Sequence, residues 1–370
     1  MFSNKSESRA WLTSLCADLW NLSSPNEAVN RTQFIDLRYH HIAINEGDKF
    51  SQVRILITGA GGYIGSHLLQ AFRQESLDLL AVVGKSIRSY ERLSFLNIQG
   101  VKLDTRDFRQ VQGALEDFKP NVVIHLAGLK SPEHSNREPK LYLENNLESL
   151  KNIYEASSKV GVSLLINASS SSIYGDIDSE SIVENQIGKP ISAYGESKKL
   201  GEKFLSENYD PRLQVVSLRL FNVIGSGHAL LKDSASFHLV PATINRIRNH
   251  ERPVIYGKCF PTPDGTSIRD YVHILDVVEL FQLVIEKHFQ EQHLHRKLIH
   301  SVFNVGSSVG TAVLQLITQI GEILGQEVNP IYLSPRDGDP AIVISNLELV
   351  ENTFGFTPKR SLDEMLRSCV

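Results

Sequence analysis

Apolar runs alternating with amphipathic stretches are the first pattern along this chain. Val53 to Thr58 (VRILIT) is a continuous β-prone run, as a strand buried on both faces requires. Tyr63 to Phe72 follows with helical spacing. The rhythm then repeats. Apolar runs at Leu77 to Val83, Val101 to Leu103, Asn121 to Leu126, Ser163 to Asn167 and Leu213 to Leu218 predict further strands, and Asn146 to Val160 reads as a helix before the fifth. After about residue 225 the rhythm changes. Tyr256 to Ser267 and Leu333 to Pro340 are rich in Pro, Gly and Asp, with short helices between them, which predicts a smaller loop-rich lobe. The residues before Val53 stand apart. Ser6 or Ser8 caps a helix to about Trp20, and Thr32 to Ile44 reads as extended. This stretch reads as a packing or oligomer-contact appendage, or as a partner-binding arm, and carries no recognisable chemistry.

Between the first strand and the first helix lie Gly59, Gly62 and Gly65, spaced GxxGxxG. Strand, glycine turn and helix in that order suit a dinucleotide. The turn is tight, the backbone can approach a pyrophosphate, and the helix N-terminus offers free N–H groups at a positive dipole end. Ile64 stands where the stricter GxGxxG pattern has its last glycine, so the flanking strand and helix carry the assignment. The fold class that follows is α/β, a Rossmann-type doubly wound parallel sheet with a smaller C-terminal substrate-binding lobe. The expected organisation is an N-terminal extension over 1–52, a dinucleotide-binding domain over 53–225, and a mainly substrate-binding lobe over 226–370 with some segments returning to the first domain.

Composition narrows the class without changing it. The chain has 370 residues, 41% hydrophobic and 22% charged, which is the profile of a globular protein of one large or two ordinary domains. Net charge is 38 − 42 = −4 with no long run of one sign, which argues against a nucleic-acid partner. Cys16, Cys259 and Cys369 are too far apart for a metal spacing or an evident disulfide framework, and fit a reducing compartment. No apolar run approaches the ~18 residues of a spanning helix, and the opening residues lack the pattern of a signal peptide. The expectation is a cytoplasmic protein with no membrane partner and no metal.

The reactive chemistry sits after the fifth strand. Ser169, Ser170, Ser171, Ser172, Ile173, Tyr174 and Gly175 follow one another there, and Tyr194-Gly-Glu-Ser-Lys198 comes some twenty residues later. Tyr and Lys four apart share a helix face. A phenol with a reference pKa near 10 is a poor base at neutral pH, and an adjacent ammonium favours its ionised form. A serine hydroxyl nearby can hold a substrate hydroxyl and share its proton. Tyr194 as base, Lys198 as tuner and Ser170 as orienter form a set for taking a proton from an alcohol while hydride leaves the same carbon.

TGAGGYIGSH, SSSSIYG and YGESK together resemble an extended short-chain dehydrogenase/reductase. With AGLK at Ala127 to Lys130, Asn146, RLFN at Arg219 to Asn222, DGTSIRDYVHILD at Asp264 to Asp276 and PRDGDP at Pro335 to Pro340, the chain is similar to the UDP-galactose 4-epimerases and their UDP-N-acetylhexosamine relatives over about residues 53 to 365. The resemblance implies that Gly59, Gly62, Tyr63, Ile64 and Gly65 hold the pyrophosphate of NAD. It puts Asp104 at the adenine, and Ala127, Lys130, Asn146, Tyr194 and Lys198 elsewhere along the cofactor. On the substrate side it implies Lys130, Ser170, Tyr194, Asn222, His238, Tyr256 near the uracil, Arg269 and Arg336 on the diphosphate, Asp339, and Val343 near C2 of the hexose. It also implies a UDP-sugar substrate, a redox-neutral exchange at C4 through a 4-keto sugar, and a homodimer built on the helices at about Leu141 to Lys159 and Tyr194 to Glu207.

Two positions depart from the family pattern. The acid that holds the adenosine ribose is missing at the end of the second strand, where Gly84 stands beside Lys85 and Arg88, so NADP enters as an alternative to NAD. His238 replaces the usual Asn beside the sugar nucleotide. Val343 falls where the family carries a bulky tyrosine with plain hexoses and a small residue with tolerance of an N-acetyl group, so the resemblance implies that both sugar types are accepted; the same valine also reads as an ordinary strand residue in the run Ala341 to Ile344. Ser171 and Ser172 stand where the sugar dehydratases carry Asp and Glu, which argues against dehydration. Besides 4-epimerisation, an NAD(P)-dependent 4-ketoreductase and a non-catalytic nucleotide-sugar-binding protein remain open at this point.

Overall fold

The computed structural model describes residues 53–370 apart from 74–76, 178, 180, 187, 292–299 and 337. The expected helix from Ser6 or Ser8 to Trp20 and the extended stretch Thr32 to Ile44 lie outside the described residues. The chain opens with β1 (Arg54–Thr58), α1 (Tyr63–Phe72), β2 (Asp78–Val83), α2 (Ile87–Phe95), β3 (Gly100–Lys102), α3 (Phe108–Phe118) and β4 (Val122–His125). Two short helices, α4 (Pro132–Arg137) and α5 (Pro139–Tyr142), run into a π-helical turn (Leu143–Glu148), α6 (Ser149–Val160) and β5 (Leu164–Ser170). Then come α7 (Ala193–Glu207), β6 (Gln214–Leu220), β7 (Asn222–Ile224), α8 (Leu239–Arg248), β8 (Val254–Tyr256), β9 (Ile268–His273) and α9 (Ile274–Glu291). The remainder is β10 (His300–Val305), β11 (Gly310–Ala312), α10 (Val313–Ile323), β12 (Ile331–Leu333), β13 (Ile342–Val343), α11 (Glu348–Phe354) and α12 (Leu362–Cys369).

The main sheet has the order β10-β6-β5-β4-β1-β2-β3, and every pairing in it is parallel. The order reverses at β1, so the crevice at its carboxyl end lies at a topological switch point. Side-chain alternation along β1 shows why helices cover both faces. Ile55 and Ile57 enter one apolar layer with Leu68, Phe72 and, from α9, Val277 and Phe281. Leu56 enters the other with Val111, Leu115, Leu150, Ile153 and Leu205.

One feature after residue 225 differs from the expected run of short helices. α9 is 18 residues long and buried along most of its length, because it packs against α1 under the main sheet. β10 then adds an edge strand to that sheet beside β6. The rest forms smaller structures: β9 pairs with β7, β11 and β13, and β8 pairs with β12. Asp270 of β9 is fully buried and accepts from Ser307 N at 2.6 Å, Ser307 Oγ, Ser308 N, Ser345 N and Ser345 Oγ, which ties three segments to one carboxylate. No helix among the described residues is long and apolar enough to cross a membrane.

Candidate active site

The glycine turn joins β1 to α1 as its spacing requires. Gly59 adopts φ +69°, in the left-handed region that a side chain disfavours, and a Cβ on Gly65 would lie 2.5 Å from the Gly59 carbonyl oxygen. α1 begins after Gly62 with no side chain capping it. A tight turn beneath an uncapped helix N-terminus fits the phosphates of a dinucleotide. The Tyr63 hydroxyl donates to the Gly225 carbonyl at 2.6 Å, so its ring anchors the turn to the segment after β7.

The ends of the neighbouring strands carry the other cofactor-side candidates. Asp104 lies just past β3, where Arg106 grips both of its oxygens (2.9 and 2.6 Å) and that hydrogen bonding pulls its pKa down to about 2. Gly84, directly after β2, is exposed, and a Cβ there would meet nothing within 4 Å. Past β4, the Ala127 N–H donates to Thr58 Oγ1 of β1 at 3.2 Å. Asn146 sits in the π-helical turn, a distortion common at functional sites. Its amide accepts from Leu129 N at 2.8 Å and donates to Leu129 O and Ser197 Oγ, both at 3.0 Å. Both its donors are spent on the protein, so Asn146 clamps the AGLK segment to the helix that bears Tyr194 and Lys198.

That helix, α7, is capped by Ser192, whose hydroxyl accepts from Gly195 N at 3.1 Å. α4 fixes its start, because the Tyr194 N–H donates to Ser135 Oγ at 3.0 Å. β5 runs three residues further than the apolar pattern, through Ser170, and its alternation separates two adjacent serines. The Ser170 hydroxyl lies close enough to the Tyr194 phenol to favour its ionised form, while it donates to Ser172 Oγ at 3.2 Å and accepts from Ser172 N at 3.1 Å. Ser169 donates instead to Glu202, which forms a buried ion pair with Arg219 at 2.6 Å. Arg219 also donates to Tyr174 Oη, and that hydroxyl donates to Asn304.

The expected tuning of Tyr194 is corrected in one respect. Burial raises its pKa, and the Ser170 hydroxyl only partly offsets this. Lys198 donates to the Ala168 carbonyl at 2.7 Å, and its own pKa is pushed down to about 8 by burial. In the protein alone, desolvation sets the direction of the Tyr194 shift.

The substrate-side candidates fall into pairs. The His238 imidazole, at the N-cap of α8, is hydrogen-bonded to Asp233, and Lys130 lies 3.9 Å from the same carboxylate. Burial opposes ionisation of Asp233, but the His238 hydrogen bond and the Lys130 charge prevail and pull it down to about 2. Arg269 is paired with Asp339 at 2.6 Å, and the Arg336 guanidinium lies over the Tyr256 ring at 4.2 Å. Asn222 donates to the Asp270 carbonyl at 2.8 Å. Val343 pairs with Arg269 in register, and its side chain is buried in the cluster of Ile173, Tyr174, Ile182 and Phe221. That is the placement of the ordinary strand residue, because parallel pairing with β9 turns it into an apolar cluster.

Sequence reasoning missed Asp233 and the Glu202–Arg219 pair, which link residues far apart in the chain and leave no local spacing to find. It also missed Arg92 of α2, which is almost fully buried behind the glycine turn. A lone arginine in an amphipathic helix gives no signal.

Comparison with known proteins agrees with this geometry. Residues 55–306 match the model of the NAD dependent epimerase/dehydratase family. A UDP-glucose 4-epimerase 2 of Oryza sativa subsp. japonica is 30% identical, over 85% of this chain and 80% of its own. The UDP-glucose 4-epimerase from Bifidobacterium longum, solved with NAD+ and UDP, is 26% identical with a TM-score of 0.77, over 85% of this chain and 96% of its own. The UDP-Glc/GlcNAc 4-epimerase from Campylobacter jejuni is 26% identical with a TM-score of 0.71, over 85% and 97%. The chain belongs to the NAD dependent epimerase/dehydratase family, among the UDP-glucose 4-epimerases.

Proposed function

We propose that this enzyme inverts C4 of a UDP-hexose, with NAD as its resident cofactor. The observation that carries the chemistry is the grouping of Ser170, at the carboxyl end of β5, with Tyr194 and Lys198 one helical turn apart on α7, where Lys198 is anchored on Ala168 O of β5, two strands from the glycine turn. Bound NAD supplies the hydride acceptor and donor, so the sugar passes through a 4-ketone and no external reductant is consumed. Gly59, Gly62, Tyr63, Ile64 and Gly65 would hold the diphosphate of the cofactor, with Ala127 and Lys130 beyond it and Asp104 at the adenine. Ser170 orients the 4-hydroxyl of the sugar. Tyr194 takes its proton and later returns it, as a general base and acid in turn. Lys198, held on Ala168 O, sits where a positive charge favours the phenolate once the site is filled.

Arg269 and Arg336 carry the substrate diphosphate in this reading, a task suited to the guanidinium fork. Asp339 pre-orients Arg269, and Tyr256 presents Arg336 while its ring lies near the uracil. The segments after residue 225 that do not join the main sheet form the substrate side. Two copies pair through α6 and α7, and a monomeric mass by light scattering would overturn that pairing. Among the relatives, the Campylobacter jejuni enzyme acts on both UDP-Glc and UDP-GlcNAc by its name, which supports testing both sugar types here.

The test is purified protein with UDP-galactose and no added NADH or NADPH, followed by proton NMR. UDP-glucose should accumulate to equilibrium. Turnover only with stoichiometric consumption of NADH or NADPH would overturn epimerisation in favour of net reduction.

A further inference from the structure

α2 carries a buried cation that the reaction does not use. Arg92 is 6% exposed. One guanidinium nitrogen donates to the Lys232 carbonyl at 2.5 Å, and another reaches the Gly61 carbonyl only at 3.4 Å. Nε is buried with no hydrogen-bond partner among the described residues. Arginine does not shed its proton to escape burial, so an incompletely partnered buried guanidinium is costly unless an anion completes it. Of the carboxylates that act on it, Asp233 is the stronger and Glu91 the weaker, and Asp233 is itself hydrogen-bonded to His238 and 3.9 Å from Lys130. Arg92 and Lys130 therefore draw on the same buried carboxylate, and no carboxylate is hydrogen-bonded to the Arg92 guanidinium among the described residues.

This surplus of positive charge lies at the glycine turn itself. Ser89, one helical turn before Arg92, presses on the turn so closely that a Cβ on Gly61 would fall 2.4 Å from its own Cβ. Gly61 precedes the uncapped N-terminus of α1. At the end of β2, by contrast, Gly84 offers no carboxylate to the adenosine ribose.

We propose that Arg92 is a cofactor-holding residue, which with Lys130 neutralises the diphosphate of the dinucleotide and compensates for the ribose anchor missing at Gly84. The assignment rests on the NAD reading above. Arg92 touches no reacting atom in it. Its work is to place a charge-assisted donor in a region of low dielectric, where such donors act strongly on a diphosphate. A purely structural role, pinning the 228–233 segment to α2 through Lys232 O, is the alternative to exclude.

The two are separated by measuring affinities of NAD, ADP and adenosine for cofactor-stripped protein, using equilibrium dialysis. Arg92→Met should weaken NAD and ADP by roughly 10- to 100-fold, as expected for loss of a hydrogen bond to a charged group. Adenosine, which has no phosphate, should change by less than about twofold. Arg92→Lys, which keeps the charge, should recover part of the loss, and it carries the test if Arg92→Met does not fold. Equal losses for NAD, ADP and adenosine would overturn the proposal in favour of the structural role, and so would unchanged affinity for all three. Wild-type protein that binds neither NAD nor NADP would overturn the cofactor reading and the inference with it. Wild-type binding that survives in full in both Arg92 variants would overturn the inference alone.

Discussion

The two sides of the β5–α7 contact use similar residues to opposite ends. On one side Ser169, Glu202, Arg219, Tyr174 and Asn304 form a chain of hydrogen bonds, and the Glu202–Arg219 pair at its centre is 8% and 11% exposed. On the other side, among the described residues, Ser170 bonds only to Ser172 and Lys198 only to the Ala168 carbonyl, so the hydroxyl and the ammonium each keep hydrogen-bonding capacity to spare. Adjacent serines of one strand are thus assigned to structure and to chemistry by strand alternation alone. A polar group whose bonds are all made inside the protein holds the fold. A group with bonds left over, in a crevice at the carboxyl ends of parallel strands, is available to a ligand.

The sharpest way to break this contrast is Tyr194→Phe. It should lower kcat by about 10²-fold or more, because the general base is lost, while cofactor affinity and melting temperature stay near wild type. A variant that keeps more than a tenth of the wild-type rate would show that the open side does not carry the chemistry. On the closed side, Arg219→Met leaves Glu202 buried and unpaired. It should destabilise the protein by about 3–5 kcal/mol, read from the urea midpoint. A change in kcat with no loss of stability would mean that the closed network belongs to the reaction after all.

A smaller effect sharpens the comparison at the other end of the crevice. Gly84→Asp meets no neighbour, so it should fold normally. The new carboxylate should accept from the ribose 2′-OH of NAD and repel a 2′-phosphate, raising the NAD to NADP affinity ratio by roughly 10-fold, the order of one charge-assisted hydrogen bond. Affinities for the two cofactors that move in parallel would show that Gly84 is not at the ribose.

Acid should act on the whole molecule at once. His67, His125, His273 and His288 are buried and His300 is half-buried, and desolvation lowers their pKa values to about 3–4. The unfolded chain, with histidine near 6.5, binds more protons over that interval. Stability is therefore in place above about pH 6.5 and falls as pH drops towards 4. A urea midpoint that stays constant from pH 7 to 4.5 would contradict this.

The sequence by itself determined the parallel strands, the glycine turn and the pairing of Tyr194 with Lys198, because each depends on residues close together in the chain. A buried parallel strand must be apolar throughout, a phosphate turn must be glycine-rich, and two residues four apart on a helix must share a face. Tertiary structure decided the rest. Nothing local separates Ser169 from Ser170, or marks Val343 for an apolar cluster rather than a pocket, since both depend on which strand pairs with which. The length of α9, and which segments return to the main sheet, depend on apolar surface left uncovered by α1 and β6. The meeting of Arg92, Lys130, Asp233 and His238 joins three separate segments. Charge balance in a buried site is a property of space, and no stretch of chain contains it.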